Sequence, residues 1–466
     1  MIAFVTLLLG LISGSYPIEV AVSGPVARVE LLLDGKVVRG ISAPPWRTEV
    51  PFGSSLEPHQ LVARALDAKG EVLASAAQRI NLPRPAAEVE IVLEADPAGK
   101  PAAARLSWQS VDNTPPEAIE VTFDGKPLVL DSQRRAALPR YDLNKVHVLA
   151  AEVEFARGVA GRREVVFGGE YGSSVSTELT AILVRAAMRS SALSPGSLRG
   201  RFVASGQPLD VAAIERGPGN VIVLNVPGPQ PLGQLWLPFG QGLQEKAAPR
   251  AEEVMGSSLA GGQRSTQAGL ILGSDVGVRL LSPYARGFHG PGVASDLFPV
   301  SPDLNGLEGG LLRLLAQSGL STLARGDGPT RIADAVAVAG LRAASENRRR
   351  AVVLILGEKE TDASRYSVAT VRRYLEAIRV PLYVWNPFGS RNPAAKAWAG
   401  AEDVSTLPRL HQAFGRLKAD LESQRIVWVE GQYLPQAVKL APKAGGVELV
   451  LPGAPGGAAP EPQAAR

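Results

Sequence analysis

One eight-residue pattern occurs twice and constrains the first third of this chain. Val29-Glu-Leu-Leu-Leu-Asp34-Gly35-Lys36 returns as Ile119-Glu-Val-Thr-Phe-Asp124-Gly125-Lys126. In each copy an apolar-rich run leads into Asp-Gly, the dipeptide best suited to a tight hairpin because both turn residues must take positive φ. A second landmark follows each hairpin. His59-Gln-Leu-Val-Ala-Arg-Ala begins 25 residues after Asp34, and His147-Val-Leu-Ala-Ala-Glu-Val begins 23 residues after Asp124. Order and spacing both repeat, so two similar β-modules stand in tandem. Short strand runs broken by Pro-Pro, Gly-Ser and Asp-Gly turns make each a sandwich pattern. The modules span residues 17–82 and 83–170, with Pro83-Arg-Pro85 as a stiff junction.

The character changes further on. Residues 171–217 read as a β-rich connecting segment, with a strand at Leu179–Val184 and a hairpin over Arg201–Leu209. After Gly219 the run Val221-Ile-Val-Leu224 opens an alternation of apolar strands and helical stripes, the pattern of βαβ units around a parallel sheet. Val368, Val371, Leu375 and Ile378 form one stripe behind a Ser367 cap. Leu407, Leu410, Phe414, Leu417 and Leu421 form another behind Ser405. A third helix is expected over Ile332–Ser345. Ala351–Leu356 and Val380–Trp385 are continuously apolar, as strands covered on both faces are. The fold class is therefore multidomain, with N-terminal all-β sandwiches followed by a doubly wound, Rossmann-type α/β domain over 218–425. A strand extension follows over 426–451, and a Gly, Ala and Pro-rich tail over 452–466 reads as disordered.

The first fifteen residues are an apolar run closed by Ser13-Gly14-Ser15, and no Lys or Arg precedes Arg28. The small-x-small ending fits a signal peptide over 1–15 and an exported, periplasmic or secreted protein. A buried N-terminal strand is the competing reading. No other stretch approaches the roughly 18–20 apolar residues of a membrane span, so no stable span is expected once the signal is removed. Cysteine is absent, which excludes disulfides and thiolate chemistry. The formal net charge of +4 is scattered without blocks of one sign, so neither nucleic acid nor an anionic membrane is indicated as a partner.

The β-modules resemble immunoglobulin-like domains of bacterial surface proteins, without their Cys and core Trp landmarks. The segment Arg348–Asp362, the helix after it and Val380–Val384 resemble the fourth-strand region of a von Willebrand factor A (vWA) domain. Val221–Pro229 stands where that family has its first strand and metal-binding loop. Ala268–Leu281 resembles its next strand pair, and Gly328–Ala335 its threonine loop and following helix. The whole arrangement is similar to bacterial exported VWFA-related proteins. The resemblance implies a metal-ion-dependent adhesion site, an array of side-chain oxygens around Mg²⁺ with one position left for a partner's carboxylate. Here its loop Asp falls on Asn225, its two Ser positions on Pro227 and Pro229, and its third-loop Asp on Leu356, while Thr330 alone matches. Glu358 and Asp362 are the nearby carboxylates. No metal and no cofactor are expected at so depleted a site.

The four histidines, His59, His147, His289 and His411, lack metal-site spacing. No nucleophile elbow or phosphate loop is present, so an enzyme is not expected. Phe288 and His289 belong to a Gly/Pro-rich loop of the kind that carries function on α/β scaffolds. Asn225, Thr330, Glu358, Phe288 and His289 are the candidate ligand-binding residues. The expected function is non-catalytic adhesion or protein–protein interaction, with another protein as partner; a structural scaffold subunit of a periplasmic or cell-envelope complex is the alternative.

Overall fold

The computed structural model describes residues 2–6, 8, 10–22, 24–83, 87–96, 100–110, 115–145, 147–155, 159–168, 179–186, 193–226, 272–285, 298–301, 329–345, 348–358, 362–389, 392–442 and 447–450. The chain divides into two compact units, one of residues 1–82 with 179–466 and one of residues 83–178.

The first module has seven strands: β1 (Ile2–Phe4), β2 (Ser15–Val22), β3 (Arg28–Leu33), β4 (Lys36–Ile41), β5 (Arg47–Pro51), β6 (His59–Leu66) and β7 (Val72–Ile80). They form a three-stranded sheet, β1-β2-β5, facing a four-stranded sheet, β4-β3-β6-β7. Inward residues of both sheets, among them Ile18, Val20, Val29, Leu31, Leu61 and Ile80, make the core.

The second unit repeats this plan strand for strand with β8 (Ala87–Ala95), β9 (Pro101–Ser110), β10 (Ala118–Phe123), β11 (Lys126–Pro127), β12 (Arg135–Ala137), β13 (His147–Phe155) and β14 (Val159–Phe167). Its sheets are β12-β9-β8 and β11-β10-β13-β14. The Asp-Gly pairs sit at the hairpins between the third and fourth strands of both modules, with φ of 50° and 80° at Asp34 and Gly35 and of 50° and 75° at Asp124 and Gly125. The three-plus-four antiparallel plan is that of an immunoglobulin-like sandwich.

The remaining strands and helices are β15 (Leu179–Ala186), β16 (Phe202–Ala204), β17 (Gln207–Pro208), β18 (Val211–Glu215), β19 (Gly219–Asn225), β20 (Val276–Leu281), α1 (Ile332–Ala344), β21 (Arg349–Ile355), α2 (Val368–Ala377), β22 (Leu382–Asn386), α3 (Pro393–Ala397), β23 (Glu402–Asp403), α4 (Leu407–Ser423), β24 (Gln424–Glu430), β25 (Val438–Leu440) and β26 (Val447–Leu449). Five of these strands make one parallel sheet in the order β20-β19-β21-β22-β23. Its strands alternate their allegiance. Ile222, Leu224, Val352, Leu354 and Val384 pack on α1 and α2, while Val221, Val223, Val353, Tyr383 and Trp385 pack on Leu410, Phe414 and Leu417 of α4. Helices thus cover both faces, which is why these strands carry no polar face.

Of the stretch Ala268–Leu281, read above as a strand pair, residues 268–271 lie outside the described residues; Val276–Leu281 form β20, whose last residue makes the antiparallel bridge Leu281↔Val300. Strands of the connecting segment and of the C-terminal extension come together: β18-β24-β15-β26 and β17-β16-β25 face each other around Ile182, Val184, Phe202, Val427, Val429 and Val438. The α/β domain is inserted between the two halves of this third sandwich. The hairpin Ser205-Gly206 within it, with φ of 51° and 81°, repeats the positive-φ turn of the first two modules. The tail beyond residue 451 lies outside the described residues, as does the stretch 227–271.

Part of the stretch read above as a signal peptide packs against the first module. β1 pairs with β2, and Leu8, Leu11 and Ile12 are buried. Among the described residues no helix is long and apolar enough to cross a membrane.

Candidate binding edge of the parallel sheet

In an open α/β sheet the loops after the strand C-termini form the crevice where partners bind. β19 ends at Asn225, whose backbone pairs with Ile355, and Val226 N donates to Ile355 O at 3.1 Å. On the adjacent strand Leu356 is fully buried and its N–H donates to Trp385 O at 2.9 Å. The position that the resemblance gives to a ligating Asp is therefore a core position. Glu358 follows just beyond and is exposed. Thr330 bridges Tyr284, and its carbonyl accepts a hydrogen bond from Ala363 N at 2.9 Å. Asn225, Thr330 and Glu358 thus belong to the same edge. Phe288 and His289 lie outside the described residues, as do Pro227 and Pro229.

Asp362 and Asp334, beside this edge, have internal tasks. Helix α1 begins after Arg331, whose side chain offers no acceptor for the unpaired N–H groups of the first turn. Asp362 supplies one from the neighbouring loop: Oδ1 accepts from Ile332 N at 2.9 Å and Oδ2 from Ala333 N at 3.2 Å. Ser364 holds that carboxylate in place through its N–H at 3.0 Å and its hydroxyl at 2.5 Å. Asp334, fully buried in the same turn, accepts from Arg365 N at 2.9 Å and Tyr366 N at 3.1 Å and pairs with Arg331 at 2.6 Å. Two negative charges at a helix N-terminus also meet the favourable end of its dipole. A carboxylate so saturated has little left to offer an incoming cation.

The next loops along the edge are tied by amides. Asn392 Nδ2 donates to Gly357 O and to Asn386 Oδ1, each at 2.9 Å, and Asn386 Nδ2 donates to Gly389 O at 2.6 Å. Both asparagines are buried, and their bonds fix the loop after β21 to the loop after β22. Among the described residues no three His, Cys, Asp or Glu side chains gather around a point where a metal ion could sit.

Sequence reasoning missed Asp334, Asn386 and Asn392. The first carried a usable signal, an Asp in the first turn of a helix, and Asp362-Ala-Ser364 carried another, the Asx-turn spacing. The two asparagines lie on separate loops, and nothing in the sequence links them.

No family model and no curated protein matches the chain. Among solved structures, the fibronectin(III)-like modules of Clostridium thermocellum CbhA are similar to 17% of this chain over 93% of their own, at 18% identity and a TM-score of 0.16. The central fibronectin-III array of RIM-binding protein is similar over 43% of this chain and 85% of its own, at 12% identity and a TM-score of 0.23. A β-glycosidase from Bacteroides vulgatus is similar over 36% of this chain and 24% of its own, at 12% identity and a TM-score of 0.19. Likenesses of this size carry no argument about activity; the sandwich assignment rests on the strand pairing itself.

Proposed function

We propose that this chain is a non-catalytic protein-binding molecule, in which a vWA-like α/β domain presents the loops at its strand C-termini and has lost the metal site of that family. The observation that carries the reading is the cap on α1: Asp362, the acidic side chain beside Thr330's loop, gives both oxygens to backbone N–H groups. The order of the parallel strands, the helices on both faces and the antiparallel bridge at the β20 edge support the vWA-like part. An interface here depends on loop shape and on exposed groups such as Glu358 rather than on a shared cation. An exported location rests on the apolar start alone, and the same run is packed in the first sandwich.

Calorimetric titration of the full chain with Mg²⁺ tests the reading. No heat of binding is expected at micromolar to millimolar Mg²⁺, and a micromolar site would overturn the loss of metal. In parallel, partner capture in EDTA should survive with the unaltered protein and fail with Glu358→Arg at unchanged melting temperature. Capture that requires Mg²⁺, or that ignores Glu358, argues for a different surface.

A further inference from the structure

We propose that β1 together with Leu8, Leu11 and Ile12 is a permanent clasp, retained in the folded protein, which completes the first sandwich and seats it on the α/β domain. The first argument is the duplication. In the second module the corresponding first strand, β8, lies deep in the chain and pairs with β9 over Ala87↔Ser110 through Ala95↔Pro101. The first module obtains its equivalent only from the apolar start, with Ile2↔Val22, Ala3↔Ala21 and Phe4↔Val20 in register. Without β1, strand β2 becomes an open edge and the core loses Ile2, Leu8 and Ile12.

The second argument is the accounting of buried polar groups. Asn81, at φ 56° and buried, acts as a strand substitute: its Oδ1 accepts from Ile12 N at 2.7 Å, and its Nδ2 donates to Ile12 O at 2.9 Å and to Glu57 O at 3.2 Å. Gln78, also buried, accepts from Leu8 N at 3.4 Å and donates to Thr6 O at 3.3 Å. From the α/β domain, Tyr366 OH donates to Leu11 O at 3.0 Å. Removal of the segment strands these groups inside the protein.

The third argument is where Leu11 goes. It is fully buried in the same cluster as Val371, Tyr374 and Leu375 of α2, beside Leu56 of the first module. The small residues that suggest a cleavage motif have a structural reason as well. Gly14 has φ of 85° and exchanges backbone hydrogen bonds with Gly53 and Phe52 as the chain enters β2.

The test uses the full chain, purified in folded form. Intact mass should show residues 2–12 retained, and hydrogen exchange should show the Leu8 and Ile12 amides slowed roughly 100-fold or more relative to an unstructured peptide. Leu11→Asp should lower the melting temperature, while Leu11→Met should restore most of it. A folded protein whose chain begins at or after Ser15, or one in which those amides exchange freely, overturns the proposal. So does a Leu11→Asp variant with the melting temperature of the parent. None of these readouts depends on metal or partner binding, so the clasp and the proposed function stand or fall separately.

Discussion

At Asp124 and His147 the duplicated pattern becomes chemistry. The Asp opens the hairpin in a left-handed conformation, which turns its carboxylate toward the strand that starts with His147: Oδ2 meets Nδ1 at 2.7 Å, and Oδ1 accepts from Val148 N at 2.9 Å. The other ring nitrogen faces Asp142 O at 2.8 Å. With an acceptor on each nitrogen, the imidazole bonds both only when doubly protonated. Burial pushes the His147 pKa down, but the bonds to Asp124 and Asp142 outweigh it and hold it above the ordinary 6.5. Burial likewise pushes the Asp124 carboxyl up, and the bonds from His147 and Val148 outweigh it and hold it below 3.8. The His147 contribution is therefore full below pH 6.5 and lost as pH rises through the raised value; that of Asp124 is present above 3.8 and lost as pH falls through the lowered one. We expect Asp124→Asn to lower the His147 titration midpoint in NMR; an unmoved midpoint rejects the pair. The first module keeps the dyad, His59 Nδ1 to Asp34 Oδ2 at 2.6 Å, but His59 Nε2 is buried without a partner among the described residues. The spacing placed these histidines at equivalent positions of the two modules. Their bond to the turn Asp was not legible, because it depends on the hairpin's handed twist.

Among elements, α1 and α2 show how pattern and packing divide the work. The helical stripes and the Ser367 cap were readable, and Ser367 Oγ does accept from Thr370 N at 3.1 Å. The other expected cap was misplaced. Ser405 N bonds Asp403 Oδ1 at 2.9 Å in a turn, and α4 starts after Thr406, which makes no side-chain cap bond. Local rules place a cap within a residue or two, and competition from a neighbouring Asp decides which. Gly340 lies inside α1, where propensity disfavours it by about 1 kcal/mol. The close approach of α2 explains it: a Cβ at Gly340 would overlap Leu375 Cδ2, and Leu375 is fully buried. Gly340→Ala pits a gain in helix propensity against overpacking of about 1–3 kcal/mol. Overpacking should win because Leu375 has no room to yield, so urea unfolding is expected to show a net loss of stability. Equal or greater stability would mean that the two helices can separate.

At the scale of the whole molecule, the α/β domain interrupts the third sandwich, and a buried polar cluster joins them. Asp420, near the end of α4, pairs with Arg185 of β15 and accepts from Tyr383 OH at 2.8 Å and Gln424 Nε2 at 3.1 Å. Gln424 Oε1 in turn accepts from Arg350 N at 2.8 Å. Asp420→Ala leaves Arg185 without its partner and should cost about 3–5 kcal/mol. Arg185→Met combined with Asp420→Leu should recover most of that in chemical denaturation, whereas equal losses from both would show that the charges themselves are required. The amino-acid sequence alone determined the main strand runs and helical stripes of the α/β region. It also determined the duplication. Each of these follows from local periodicity, turn chemistry and residue identity, which act over a few neighbours. The tertiary structure decided the rest: that β15–β18 and β24–β26 form one sandwich, that Asp362 caps a helix thirty residues away in the chain, and that Leu11 lies in the core of a domain beginning two hundred residues later. Those pairings depend on contacts between segments far apart in sequence, whose apolar and polar partners are chemically interchangeable until the fold selects among them. The edge that carries Asn225, Thr330 and Glu358 was legible as a place, and the use of Asp362 as a helix cap only as a structure.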